Sequence, residues 1–191
     1  FETENQELEE TSNQHYLASR LSYFLWNSPP DKTLTSLANK GRLQKKLPDQ
    51  IDRMINSPKI EQLVKTFADE WLRLDRYKTM DIDVESYEDF TRFVQEDMLN
   101  ETYSFVHYVL KNDMSIMNFI DSDFAMLNQN LAEFYGINGV KGNKFRPVKL
   151  SERHKRGGLL SQGSFLSGHS DGVQAHTIKR AVWLKEKILG E

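Results

Sequence analysis

Apolar residues recur three or four positions apart along most of this chain, which is the spacing that places them on one face of an α-helix. The clearest run contains Ile60, Leu63, Val64, Phe67, Ala68, Trp71 and Leu72. Ser57 and Pro58 precede that run, and these residue types are typical of the N-cap and the first turn of a helix. The periodicity predicts an all-α protein, a multi-helix orthogonal bundle.

Proline, glycine and capping residues divide the pattern into separate helices. Pro29 and Pro30 end a helix predicted over residues 16–28. The remaining segments are predicted helices over residues 31–38, 47–56, 86–112, 128–135 and 177–189. Ser86, followed three residues later by Asp89, resembles a capping box and predicts where the longest helix begins.

The least helical region lies between residues 124 and 150. Residues 124–127 and 145–150 are short, mixed apolar and polar segments, and glycine and asparagine are frequent between them. This composition favours one small two-stranded β ribbon. The turn-rich stretch 136–143 is the best domain boundary, which gives a helical body over residues 11–136 and a C-terminal region over residues 144–191, packed as one globular unit.

Composition excludes several classes of partner and cofactor. The 191 residues include 25 basic and 28 acidic ones, and the net charge of −3 gives no electrostatic case for nucleic acid. No apolar run has the length of a transmembrane segment. The absence of cysteine excludes disulfides, thiolate metal sites and covalent haem attachment in this chain.

A stretch rich in glycine, serine and histidine, residues 157–176, is the best candidate for a site. His169, Asp171 and His176 could supply three ligands to a metal ion or contact a substrate. The alternative is that these residue types only form turns, because loops are rich in them for that reason. The histidine spacing matches no recognised metal signature.

Two further sets of residues have both a structural and a functional interpretation. Arg156, Gly157 and Gly158 could present backbone N–H groups to an anion at the start of a helix. Glu101 falls on the apolar face of the longest predicted helix, where burial would raise its pKa and suit a general acid. The structural alternative, which we favour, is a buried ion pair between Glu101 and Arg20.

Five blocks of sequence carry a resemblance to a known family: YLASRLSYFLWNSPPDKTL, FADEWLRLD, DFAMLNQNLAEFYGI, FRPVKL and RGGLLSQGSFLSGHSDGVQAHTIKRAVWLKEKILG. In this order they resemble two adjacent domains of unknown function, families 1592 and 1588, from planctomycetes and related bacteria. The resemblance covers the chain from about His15 onward and implies a fragment of a large exported protein, often containing a cytochrome c domain. Many members have R-T-S-P where this chain has residues 174–177, a departure that weakens a family-wide role for His176.

Two function classes therefore follow. The first is a non-catalytic scaffold or interaction module, exported to the periplasm or cell surface, whose partners are other domains of the same polypeptide, including a cytochrome c domain. Haem c would then lie elsewhere in that polypeptide, and this chain would hold no cofactor. The second is part of an extracytoplasmic enzyme, redox or hydrolytic, with a metal or substrate site at His169, Asp171 and His176. Convergence of those three side chains would distinguish the second class from the first.

Overall fold

A computed structural model describes residues 2–80, 87–171 and 174–191, with side chains described from residue 12 onward. The described part is 65% helical and contains nine α-helices and one small two-stranded sheet. This confirms the prediction of a mainly α fold. The chain forms two compact units, residues 1–65 and 66–191.

The first unit is built from helices whose ends match the residues expected to cap them. Its helices are α1 (Glu2–Trp26), α2 (Lys32–Asn39), α3 (Leu47–Ile55) and the first part of α4 (Glu61–Leu72), which contains the unit boundary. Asp31 caps α2 by accepting a hydrogen bond from the Leu34 N–H at 2.9 Å. Ser57 accepts from the Lys59 N–H at the 3₁₀ turn Pro58–Ile60 that leads into α4.

Trp26 links the helices of the first unit. Its indole N–H donates to the Met54 carbonyl at 3.0 Å, and the Arg53 and Lys59 cations lie over its ring at 5.3 and 4.9 Å from the centroid. Arg53 also forms an ion pair of 2.7 Å with Asp31, the residue that caps α2. One aromatic side chain and one carboxylate therefore connect α1, α2 and α3.

The second unit contains the rest of α4 and five further helices. These are α5 (Leu74–Thr79), α6 (Arg92–Lys111), α7 (Gln129–Phe134), α8 (Gly163–Gly168) and α9 (Thr177–Leu184), and a π-helical turn, Lys185–Leu189, continues α9. Shorter 3₁₀ turns cover Ile116–Phe119, Glu152–His154 and Leu159–Ser161. Asn128 caps α7 by accepting from the Leu131 N–H at 2.9 Å.

The predicted β ribbon is present. Strands β1 (Phe124–Leu127) and β2 (Arg146–Lys149) pair antiparallel, with Phe124 opposite Lys149 and Leu127 opposite Arg146. β1 is buried along its whole length, whereas β2 is mostly exposed. The core of this unit therefore packs α6, α7 and β1 together, with members Tyr77, Val94, Met98, Ala125, Leu127, Leu131, Ala132, Ile137 and Leu150.

The predicted start of the longest helix is wrong. Residues 87–91 form a turn, and α6 begins at Arg92 with Thr91 as its N-cap, which accepts from the Val94 N–H at 3.2 Å. Ser86, the residue expected to cap it, lies outside the described residues. The real cap thus lies five residues further along the chain, because Thr91 offers the same hydroxyl acceptor closer to the buried residues of α6.

Two further observations concern the organisation of the chain. The sheet joins segments from both sides of the turn-rich stretch 136–143. The division into domains 11–136 and 144–191 stays a prediction.

None of the described helices has the length and apolar content needed to cross a membrane.

Candidate functional site

A buried carboxylate on α6 is the most unusual polar group of the second unit. Glu101 is only 1% exposed, and its Oε2 accepts a hydrogen bond of 2.7 Å from the Tyr135 hydroxyl. That hydroxyl in turn accepts from the Gly163 N–H at 3.1 Å. A chain of hydrogen bonds therefore connects the middle of α6, the end of α7 and the start of α8.

Burial raises the pKa values of Glu101 and Tyr135, the two acidic groups of this hydrogen-bonded network. Loss of water around the carboxyl raises the pKa of Glu101 to about 7, against the opposing effects of the Tyr135 hydrogen bond, the Arg156 charge and the Gly163 amide. Burial also raises the pKa of Tyr135 well above its usual value, and the Glu101 charge adds to that increase. At neutral pH Tyr135 is therefore the donor, and Glu101 changes charge near that pH.

Arg156 is the cation whose charge acts on Glu101, and the predicted pair with Arg20 stays a prediction. The Arg156 guanidinium lies over the Tyr135 ring, 3.5 Å from its centroid, and its charge acts on Glu101. Arg20 is exposed, and its guanidinium lies 5.6 Å from the Tyr16 ring centroid. The burial of Glu101 was predictable from its place on an apolar face, whereas the cation whose charge acts on it comes from a segment 55 residues further along the chain.

The residue after Glu101 extends the polar interior. The Thr102 hydroxyl lies 2.6 Å from the Gln162 amide oxygen and 2.7 Å from the Ser164 hydroxyl, and all three residues are buried. Gly163, between these two partners, packs so closely that a Cβ atom there would overlap Met98 and lie 2.6 Å from the Tyr135 hydroxyl. The start of α8 is therefore fixed against α6 by hydrogen bonds and by close packing.

The structure does not bring the predicted metal or substrate ligands together. The His169 ring is buried beside Phe165 at 4.3 Å, its Nδ1 lies 2.9 Å from the Phe165 carbonyl, and burial lowers its pKa. The Asp171 carboxylate accepts from the Gln174 N–H at 2.6 Å, which is a turn interaction. His176 is half-buried at the N-cap position of α9 and makes no capping bond. Among the described residues no group of three His, Asp or Glu side chains could hold a metal ion.

The Arg156–Gly158 segment has a structural explanation for its two glycines. A Cβ atom on Gly157 would lie 2.6 Å from the Ser122 carbonyl oxygen, and one on Gly158 would lie 2.5 Å from that of Ile120. The Gly157 N–H donates to the Ser161 hydroxyl at 2.8 Å. The amide proposed for an anion is thus occupied within the chain, and Arg156 remains as the charged group of the predicted set.

A cavity of about 260 Å³ lies beside the buried network. Its residues are mostly aromatic or apolar, and they include Tyr87, Phe90, Phe134, Tyr135, Leu166 and Ala175. Two arginines, Arg156 and Arg180, also line it. Sequence reasoning missed Arg180, yet a signal was present, because Arg180 lies three residues before the buried Trp183 and so shares its face of α9.

The opposite side of α9 exposes apolar residues to solvent. Ile178 and Val182, one helical turn apart, are 69% and 45% exposed, and Leu189 in the following π turn is also exposed. Trp183 is 1% exposed, and its indole N–H donates to the Trp71 carbonyl at 2.9 Å. The last helix therefore has one apolar side against the core of the second unit and another that faces solvent.

Comparison with known proteins gives a family and no further relative. Residues 13–137 match the model of the family described as "PSD4: Protein of unknown function (DUF1592)". No curated protein and no solved structure matches the chain. Glu101 and Tyr135 fall within the matched residues, whereas Arg156, α8 and α9 lie beyond them.

Proposed function

This chain belongs to the DUF1592 family of proteins of unknown function, and from that premise we propose that it is a non-catalytic interaction module of a larger exported bacterial protein. One observation carries the proposal: α9 is apolar on two sides, only one of which packs against the core of the second unit. The function proposed for the exposed side is to hold a neighbouring domain.

The two-sided character of α9 is the physical argument. A surface helix normally has one apolar stripe and a polar opposite face, whereas a helix that is apolar around its circumference is covered on both sides. Trp183 accounts for the inner side of α9, and Ile178, Val182 and Leu189 remain outside. Full burial of one such side chain contributes about 1.5–3 kcal/mol, so a partner that covers this side would gain substantial binding free energy.

The proposed occupant is another domain of the same polypeptide. The resemblance of the C-terminal blocks to family 1588, and the planctomycete-type proteins in which that family follows 1592, support this choice. A cytochrome c domain in the same exported chain is the neighbour that the resemblance favours, and it would hold the haem. The role of this chain would then be to position that redox domain.

The enzymatic alternative has lost support within the described residues. His169 stacks on Phe165 and Asp171 closes a turn, and no group of three His, Asp or Glu side chains among the described residues could hold a metal ion. The remaining polar interior around Glu101 and Thr102 is hydrogen-bonded within the chain. These contacts support a structural use of the polar groups.

A double substitution on the outer side of α9 tests the proposal. Ile178→Ser with Val182→Ser should change the unfolding free energy of this chain alone by less than about 0.5 kcal/mol, because both side chains are exposed there. In the full-length polypeptide the same substitutions should cost about 2–4 kcal/mol, since a covered apolar face would be lost. Thermal and urea unfolding of both forms measures the difference.

Phe93→Ser is the matched control, because Phe93 is a 75% exposed apolar residue on α6. It should have the same small effect in both forms. Amide hydrogen exchange across residues 177–189 should also be slower in the full-length polypeptide than in this chain alone. Equal costs and equal exchange in the two forms would rule out a covering domain, and a concentration-dependent effect would show that a second copy covers the face instead.

A further inference from the structure

We propose that the cavity beside Tyr135 binds a small carboxylate that carries an aromatic or aliphatic group, with Arg156 and Arg180 as the residues that hold the carboxylate. The proposal concerns the inner side of the second unit and does not depend on the docking surface of α9. It rests on two observations about the cavity, its apolar wall and its two cations.

The wall of the cavity suits an apolar body of small size. Phe90 and Phe134 meet edge to face with their centroids 6.0 Å apart, and the Phe134 and Tyr135 rings are 5.9 Å apart. Leu166 and Met98 add aliphatic surface. A volume of about 260 Å³ lies just below the usual range for ligand sites, which limits the ligand to about the size of a single ring with a short substituent.

The charges at the cavity are unbalanced. No aspartate or glutamate is present among the described residues that line it, whereas two arginines are. Neither Arg156 nor Arg180 forms an ion pair in the part of the chain that the structure describes; each donates instead to a backbone carbonyl, of Ser161 at 2.9 Å and of Leu166 at 3.1 Å. Partly buried cations are retained in proteins when an anion compensates them.

The Arg180 Nε has no hydrogen-bond partner among the described residues and is inaccessible to solvent, so this nitrogen does not reach the cavity. The terminal nitrogens of the guanidinium are therefore the donors assigned to the ligand. A guanidinium presents parallel N–H groups that match the two oxygens of a carboxylate.

Glu101 does not take the place of this anion. Its carboxylate is held by the Tyr135 hydroxyl, and it has no ion pair with Arg156. Two cations against one carboxylate leave at least one positive charge for a ligand. The aromatic wall selects an organic acid over inorganic phosphate, because a small hydrated dianion would leave that wall in contact with water.

Binding of phenylacetate to this chain tests the proposal, with phenylacetamide as the uncharged probe of equal size and inorganic phosphate as the anion without an apolar body. Isothermal titration calorimetry should show phenylacetate binding at least tenfold more tightly than either comparison probe. Arg180→Gln and Arg156→Gln should each weaken phenylacetate binding at least tenfold, which is about 1.4 kcal/mol. Arg92→Gln, at an exposed arginine on α6, should leave binding unchanged.

A second variant keeps the test decisive if an arginine substitution disturbs the fold. Ala175→Trp fills the cavity from an exposed lining position and keeps both arginines, so it should abolish phenylacetate binding while the circular dichroism spectrum stays native. Equal affinities for phenylacetamide and phenylacetate would mean that the cavity recognises only the apolar group, which would contradict the role of the arginines. Tighter binding of phosphate, or no binding of phenylacetate at millimolar concentration, would overturn the proposal.

Discussion

Two polar regions of the second unit differ in what their polar groups do. The Glu101–Tyr135–Gly163 chain of hydrogen bonds is buried and connects three helices, whereas His169 stacks on Phe165 and Asp171 accepts a turn hydrogen bond from Gln174. Both are rich in residue types that catalysis uses. A buried carboxylate needs partners from distant segments, while a loop residue satisfies itself with its neighbours. Burial, more than residue type, therefore marks which polar group the fold is organised around.

The glycines sharpen this comparison, and the largest expected effect lies there. Gly158→Ala should cost about 4 kcal/mol of unfolding free energy, because Gly158 has φ 69° and ψ 178° and an added Cβ would lie 2.5 Å from the Ile120 carbonyl oxygen. Urea unfolding monitored by circular dichroism measures the loss.

Gly139→Ala is the control for the Gly158 prediction. Gly139 also has a positive φ, of 90°, yet an added Cβ there meets nothing within 4 Å, so the cost should be about 1 kcal/mol. Equal costs at the two positions would mean that backbone conformation alone explains Gly158. The glycine-rich segment would then be free of the packing constraint that argues against its use as an anion site.

Local features of this fold were predictable, because local sequence determines them. Asp31 and Asn128 cap helices, as expected for side chains that accept from nearby N–H groups. The β ribbon formed where two short mixed segments flank a turn-rich stretch. The predicted start of α6 was wrong because Ser86 and Thr91 both carry a hydroxyl that can cap a helix. The choice between them depends on tertiary packing, which the sequence pattern does not contain.

The partners in the interior could not be predicted, because tertiary contacts determine them. The burial of Glu101 follows from its position between Met98 and Phe105 on the apolar face of α6. Its neighbours Tyr135 and Arg156 are 34 and 55 residues away in sequence, and periodicity within one helix says nothing about them. For the same reason the glycines of the C-terminal stretch suggested a ligand, although Gly157 and Gly158 lie against backbone from residues 120–122.

The pH dependence of stability tests the buried side of the comparison. The folded state raises the pKa of Glu101 from 4.5 to about 7, so it binds more protons than the unfolded state between these values. The contribution of Glu101 to stability should therefore be greatest below pH 4.5 and fall by about 3 kcal/mol as the pH rises past 7. Glu101→Gln should remove this slope, measured by urea unfolding at several pH values.

Arg20→Ala tests the predicted buried pair of Arg20 and Glu101. Because Arg20 is exposed, its loss should change the unfolding free energy by less than about 0.5 kcal/mol and leave the pH slope intact. Tyr135→Phe, which removes the donor to the carboxylate, should instead lower stability further at high pH. A large loss of unfolding free energy in Arg20→Ala would support the predicted buried pair of Arg20 and Glu101.

The histidines test the loop side of the comparison. His169→Ala should cost about 2 kcal/mol at pH 8, because the ring is buried between Phe165 and Trp183, whereas half-buried His176→Ala should cost less than about 0.5 kcal/mol. The cost of His169→Ala should shrink below pH 6. The folded state lowers the pKa of His169, so protonation of this residue in the unfolded chain already lowers the unfolding free energy of the parent there.

Added zinc should leave the melting temperature of the parent unchanged, because a metal that binds the folded state would raise it. Stoichiometric zinc that is lost in both histidine variants would reverse the comparison, since it would mean that the loop assembles into a site and that its polar groups serve more than turns.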